Sequence, residues 1–148
     1  KSGSMRLGQV GRFSGAYRWI GSRLQANQLD AGFLMWDIRR FAHIDEFPSD
    51  RKVVIHFFLN DARQRERHWW LVVANGEIDL CREDPGHELT LVVEASVASL
   101  TEIWTGDSDP DAEQQAHRLL VRGGRRDTRD LWRWLGRSVF ASSKVPVK

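Results

Sequence analysis

Cysteine, proline and tyrosine are scarce in this chain: one, four and one among 148 residues. With Cys81 alone, no intramolecular disulfide can form and a cysteine-based metal site is not expected. That places the chain in a reducing cytoplasm. Apolar runs are short as well. None approaches the roughly 18 residues that span a bilayer and no secretory signal is visible, so stable membrane insertion is not expected. Nor is one sign of charge in excess: 22 basic residues meet 20 acidic ones, a formal net of +2. Bulk charge therefore gives no ground for a nucleic-acid partner. All but four of the basic residues are arginine, which suits phosphate or carboxylate recognition and is equally the bias of a GC-rich genome.

Catalytic signatures are missing too. The five histidines (His43, His56, His68, His87 and His117) show no metal-ligand spacing and read as surface or strand residues, with no metal expected. No serine nucleophile motif, phosphate loop or paired-carboxylate signature occurs. Cys81, on the strand side of Glu77 and Asp79, is a poor nucleophile candidate, and those two carboxylates read as a solvated pair on one strand face.

What the chain does have is apolar bulk: 41% hydrophobic residues, with seven Trp and seven Phe, enough for one sizeable core. Its organising stretch runs from His68 to Gly86. Trp69-Trp70-Leu71-Val72-Val73 reads as a strand apolar on both faces. Asn75-Gly76 reads as a tight hairpin turn, and Ile78 and Leu80 alternate with polar residues in the returning strand.

Around this hairpin the remaining elements fall in order. Phe13, Tyr17, Ile20 and Leu24 lie at helical spacing between Arg12 and Asn27, in a helix weakened by Gly11, Gly15 and Gly21 at up to ~1 kcal/mol each. Asp30 caps a second helix to about Phe41. Lys52–Asn60 is a strand with Val53, Ile55, Phe57 and Leu59 on one face and Val54, His56 and Phe58 on the other. Asp61–Arg67 reads as a mobile loop. Glu88–Ala95 is a strand with Leu89, Leu91 and Val93 in register. Ser96 caps a helix through Trp104 that Gly106 ends. Asp107–Gln115 is a loop with a short helix, and His117–Arg122 a fifth strand. Asp127 or Thr128 caps a last helix to Gly136 that buries Leu131, Leu135 and one or both of Trp132 and Trp134. Arg126, Arg129, Arg133 and Arg137 lie roughly opposite, as a solvated face. The expected architecture is α+β, a five-stranded sheet with helices on one face.

Several motifs in order carry a family resemblance: Trp69–Val73, Gly76–Cys81, Asp84-Pro85-Gly86, Leu100-Thr101, Trp104 with Gly106-Asp107, Trp134-Leu135-Gly136, and Leu34–Arg40 in the helix that leads in. Together they resemble the sterol carrier protein (type 2) domain, most closely as it occurs at the C-terminus of HxlR-type winged-helix transcription regulators. The resemblance covers about residues 29–141. It divides the chain into a cloning scar and start (1–5), an N-terminal helix or linker remnant (6–28), the ligand-binding domain (29–141) and a tail (142–148). The stretch Ser108–Leu119 departs from the family pattern.

The resemblance implies a five-stranded mixed or antiparallel sheet whose helices enclose an apolar cavity for a hydrophobic small molecule or lipid, with no cofactor and, in most members, no catalysis. Phe33, Trp36, Ile55, Phe57, Leu71, Leu91, Leu100, Trp104 and Trp132 are the candidate lining residues. Effector sensing for a bacterial regulator is then the expected role, with no direct contact of this chain with nucleic acid and a homodimer possible through the N-terminal helix. The alternative is a stand-alone carrier or a cofactor-free enzyme, a cyclase or isomerase, in which Asp37, Arg40 and His43 are the first residues to examine for acid–base chemistry.

Overall fold

The computed structural model describes residues 30–136. The helix expected over Arg12–Asn27, the dimer contact assigned to it, Arg137 and the tail lie outside the described residues. Helix α1 (Ala31–Phe41) starts where Asp30 accepts a hydrogen bond from the Phe33 N–H at 3.0 Å, satisfying a first-turn donor. Its buried stripe includes Leu34, Asp37 and Ile38, spaced three and four apart. Strands β1 (Val53–Leu59), β2 (His68–Ala74) and β3 (Glu77–Cys81) follow as an antiparallel meander. The β2–β3 turn is the one the sequence demands: Asn75 and Gly76 both have positive φ, 55° and 76°.

Strand β4 (Leu91–Ala95) then pairs parallel to β1, on the side away from β2. Helix α2 (Val97–Trp104) is capped by Ser96, whose hydroxyl accepts from the Ser99 N–H. Short α3 (Pro110–Gln115) has Asp109 as its cap and proline in its first turn. Strand β5 (Leu119–Gly123) pairs antiparallel to β4, and α4 (Arg125–Leu135) closes the domain. The sheet order is β3-β2-β1-β4-β5, so the sheet is mixed.

Val53, Ile55, Phe57, Leu59, Trp69, Leu71, Val73, Leu91, Val93 and Ala95 present one sheet face to buried side chains of α1, α2 and α4, forming the main core. The opposite face carries a smaller cluster of Val54, Trp70 and Val72 against Cys81. Both sides of β2 are therefore apolar, as its uninterrupted run requires.

Three sequence expectations are corrected. Strand β4 begins at Leu91, not Glu88, and Leu89 is 41% exposed. Thr90 ends the approach instead: its N–H donates to the Val54 carbonyl and its Oγ1 accepts from the Val54 N–H. Strand β5 begins at Leu119, because His117 turns with φ 62°, outside the extended range. Helix α4 starts at Arg125 with Gly124 at the cap position, while the Asp127 carboxylate pairs with Arg51 at 2.7 Å. Within Asp61–Arg67, residues Gln64–Glu66 form one 3-10 turn, and the Arg67 side chain donates to the Ala62 carbonyl across it.

Candidate ligand-binding site

Six of the nine candidate lining residues converge. Ile55 and Phe57 of β1, Leu71 of β2, Leu91 of β4, and Leu100 and Trp104 of α2 belong to the single core between sheet and helices. Phe33 is buried on α1. Trp36 is half-buried, with the Arg39 guanidinium 5.2 Å from its ring centroid; the Arg39 Nε also donates to the Ile78 carbonyl and so fastens α1 to β3. Trp132 packs against the core from α4 and borders a hollow of about 410 Å³. Ile103, Pro110 and Trp132 give that hollow apolar walls, and Gln114, Thr128 and Arg129 give it polar ones. Its size falls within the roughly 300–1,000 Å³ typical of small-molecule pockets.

The three residues marked for acid–base chemistry separate. Asp37 is 0% exposed, at a stripe position that apolar side chains occupy on either side. Its Oδ2 accepts from the Trp104 Nε1 at 2.7 Å. Its Oδ1 is buried with no hydrogen-bond partner. Burial pushes the Asp37 carboxyl above the usual carboxylate range, against the opposing effects of the Trp104 hydrogen bond and the Arg40 charge. Arg40 itself is exposed, its guanidinium over the Phe41 ring. His43 is drawn toward α4: its N–H donates to the Trp134 carbonyl and its ring lies against Gly136. Asp37 and His43 share no hydrogen bond, and of the three residues Asp37 alone is buried.

Two further constellations escaped the sequence reading. On the open face of the sheet, His56, Phe58, His68 and Trp70 form a ladder of near-parallel rings. The His56 and Trp70 centroids lie 4.7 Å apart at 4°, and those of Phe58 and His68 4.8 Å apart at 11°. His56 Nε2 and His68 Nδ1 approach to 2.9 Å. Burial, then the charge of His68, lowers the His56 pKa, with Asp84 opposing. Alternation placed His56 and Phe58 on one face, but only the β1–β2 register, Phe57 opposite Trp69, joins them to His68 and Trp70. The second is buried Glu113, held below its usual range chiefly by hydrogen bonds from Arg118. Arg118 grips it in a fork of 2.9 and 3.2 Å, and Ser108 Oγ adds a third donor. These residues lie in the stretch that departs from the family pattern, so no motif announced them. Arg118 also borders a hollow of about 660 Å³ with mixed walls, Asn60, Glu94, Gln114 and His117 beside Leu119 and Leu120.

Among the described residues, no three His, Cys, Asp or Glu side chains assemble to hold a metal ion, and no helix is long and apolar enough to cross a membrane. On α4, Arg129 pairs with Asp130, and Arg133 with Asp130 and Glu46.

The sequence matches no protein-family model and no curated protein. The fold does match solved structures. The ubiquinone synthesis protein UbiJ-SCP2 superposes with a TM-score of 0.53 at 12% identity, over 71% of this chain and 91% of that one. The stereoselective inverting sec-alkylsulfatase Pisa1 from Pseudomonas sp. gives 0.52 at 11% identity over 66% of this chain. A double mutant of the sec-alkyl sulfatase PisA1 gives 0.59 at 10% identity over 74%. This chain spans 15% and 17% of those two sulfatase chains. The five-stranded mixed sheet with its helices is thus a sterol carrier protein 2-like fold.

Proposed function

We propose that this protein binds a hydrophobic small molecule or lipid between its sheet and its helices, as the effector-sensing domain of a transcription regulator. The observation that carries the reading is the apolar sheet face under α1, α2 and α4 of this chain, in a fold similar to that of UbiJ-SCP2, a ubiquinone synthesis protein. Ile55, Phe57, Leu71, Leu91, Leu100 and Trp104 supply the apolar contact, Trp132 packs beside them, and Phe33 and Trp36 complete the proposed set from α1. Each Å² of apolar ligand surface taken from water contributes roughly 25 cal/mol. The sensor role rests on the resemblance of the ordered motifs, from Leu34–Arg40 through Trp134-Leu135-Gly136, to those of HxlR-type regulators. DNA reading would then belong to a winged helix joined to this domain.

The second reading is a stand-alone carrier, or a cofactor-free isomerase or cyclase, using the same space. Asp37 favours it, since burial raises its pKa toward the range in which a carboxyl serves as a general acid. Native mass spectrometry of the purified protein, with solvent extraction and tryptophan-fluorescence titration against lipophilic metabolites, tests both. An apolar molecule that binds saturably and returns unchanged supports the sensor or carrier. One that returns rearranged at the same mass makes the protein an isomerase. A core that takes up nothing would overturn the binding reading.

A further inference from the structure

We propose that Asp37 is the polar anchor of the ligand, holding a neutral oxygen acceptor, such as a ketone or ester carbonyl, on an otherwise apolar molecule. This deepens the proposed binding between sheet and helices, and rests on it. The observation behind it is an asymmetry within one carboxyl group. Oδ2 is satisfied by the Trp104 indole N–H at 2.7 Å, whereas Oδ1 is buried with no partner. Among the described residues it is the one buried side-chain oxygen or nitrogen in that condition. Buried polar atoms are nearly always hydrogen-bonded, and an exception calls for a use.

Its chemistry follows from its surroundings. Leu34 and Ile38 share the buried stripe of α1 with Asp37, and Leu100, Ile103 and Trp104 face the core from α2. Such a setting disfavours the ionised form. Because Oδ2 already accepts from the indole, the proton of the neutral acid belongs on Oδ1. The unpartnered atom is then an O–H donor, and a donor selects an acceptor. A hydrocarbon leaves it unsatisfied. A cationic headgroup would ionise it and demand a buried ion pair, with the desolvation of two charges. A neutral carbonyl oxygen satisfies it without adding charge to the core. The expected ligand class is a lipophilic ketone, quinone or ester, its apolar body against the core side chains and one carbonyl oxygen on Asp37 Oδ1.

The test uses two probes of nearly equal size and shape, 2-acetylnaphthalene and 2-ethylnaphthalene, with affinity measured by equilibrium dialysis against the full chain. The wild type should prefer the ketone by about tenfold, the worth of one hydrogen bond at a buried donor. The carbonyl stretch of the bound, carbon-13-labelled ketone should move to lower frequency. Asp37→Leu should bind both probes alike. Asp37→Asn, whose amide can accept from Trp104 and donate to the ketone, should keep the preference, and the carbonyl shift in the wild type decides the matter if the leucine variant does not fold. Equal affinities with an unshifted carbonyl, or a preference that survives Asp37→Leu, overturn the anchor while leaving the apolar site in place. Failure of both probes to bind overturns the anchor together with the binding reading.

Discussion

The Trp104 indole and the Asp37 carboxyl join α2 to α1 across 67 positions of sequence, through one 2.7 Å hydrogen bond with both partners buried. Trp104→Phe strands the carboxyl, and Asp37→Leu strands the indole N–H, each leaving a buried polar group unpaired at about 1–3 kcal/mol. The double variant strands neither. It should therefore be more stable than the sum of the two losses implies, by about 1 kcal/mol or more. Urea unfolding of the four proteins measures this, and strict additivity would show that the bond contributes nothing.

The same carboxyl gives stability a pH dependence. A carboxyl whose pKa is raised on folding binds its proton more tightly in the native state. Its contribution is complete below the ordinary carboxylate value and is lost as pH rises through the folded-state value. Asp37→Asn should remove that decline from a series of unfolding midpoints.

Glu113 acts in the opposite sense. Its carboxylate is held below the usual range, first by hydrogen bonds from Arg118, so its contribution is present above the ordinary value and is lost as pH falls through the folded-state one. Glu113→Gln should flatten the acid limb while leaving the decline at higher pH in place. If the acid limb is unchanged in that variant, the Arg118 fork is ornamental to stability.

Two glycines differ in what stands beside them. A Cβ at Gly123 (φ 154°) would meet backbone, the Thr90 carbonyl oxygen at 2.7 Å, besides the Leu91 side chain, its cross-strand neighbour. A Cβ at Gly136 (φ 73°) would meet the His43 ring at 2.6 Å, and that ring is on the surface and can turn away. Alanine at either position strains the backbone by about 1–3 kcal/mol, and thermal melting should place Gly123→Ala well below Gly136→Ala. His43→Ala should restore part of the Gly136→Ala loss and none of the other.

Local chemistry explains what the sequence reveals here. The Asn75-Gly76 turn, the Asp30 and Ser96 caps and the alternation in β1 are all decided within a few residues, and the structure has each of them. The start of β4 is not local. Leu89, Leu91 and Val93 alternate without a break, yet the strand begins only after Thr90 has exchanged hydrogen bonds with Val54 on another strand. The cap of α4 fails for a similar reason: Asp127 is taken by Arg51, 76 residues earlier. Site residues divide along the same line. Apolar periodicity found the core that includes Ile55, Phe57, Leu71, Leu91, Leu100 and Trp104. It had no means of showing that Asp37 lies beneath a tryptophan from a distant helix, that His43 bonds to α4, or that the rings of His56 and His68 share a face.

The parallel pairing of β1 with β4 bears on how the chain reaches this state. Strands β1, β2 and β3 pair within residues 53–81, whereas β4 must bring Leu91 beside Ile55 after the chain has left the far edge of the sheet at β3. Closing the longer loop costs more entropy before any contact repays it. The meander should therefore acquire protected amides first in pulse-labelled hydrogen exchange, with β4 and β5 protected later. In that interval the free edge of β1 is an unpaired strand flanked by bare aromatic side chains, the vulnerable moment in the biogenesis of this domain. Rapid synthesis through residues 82–95, or a chaperone that shields that edge, should raise the yield of folded protein.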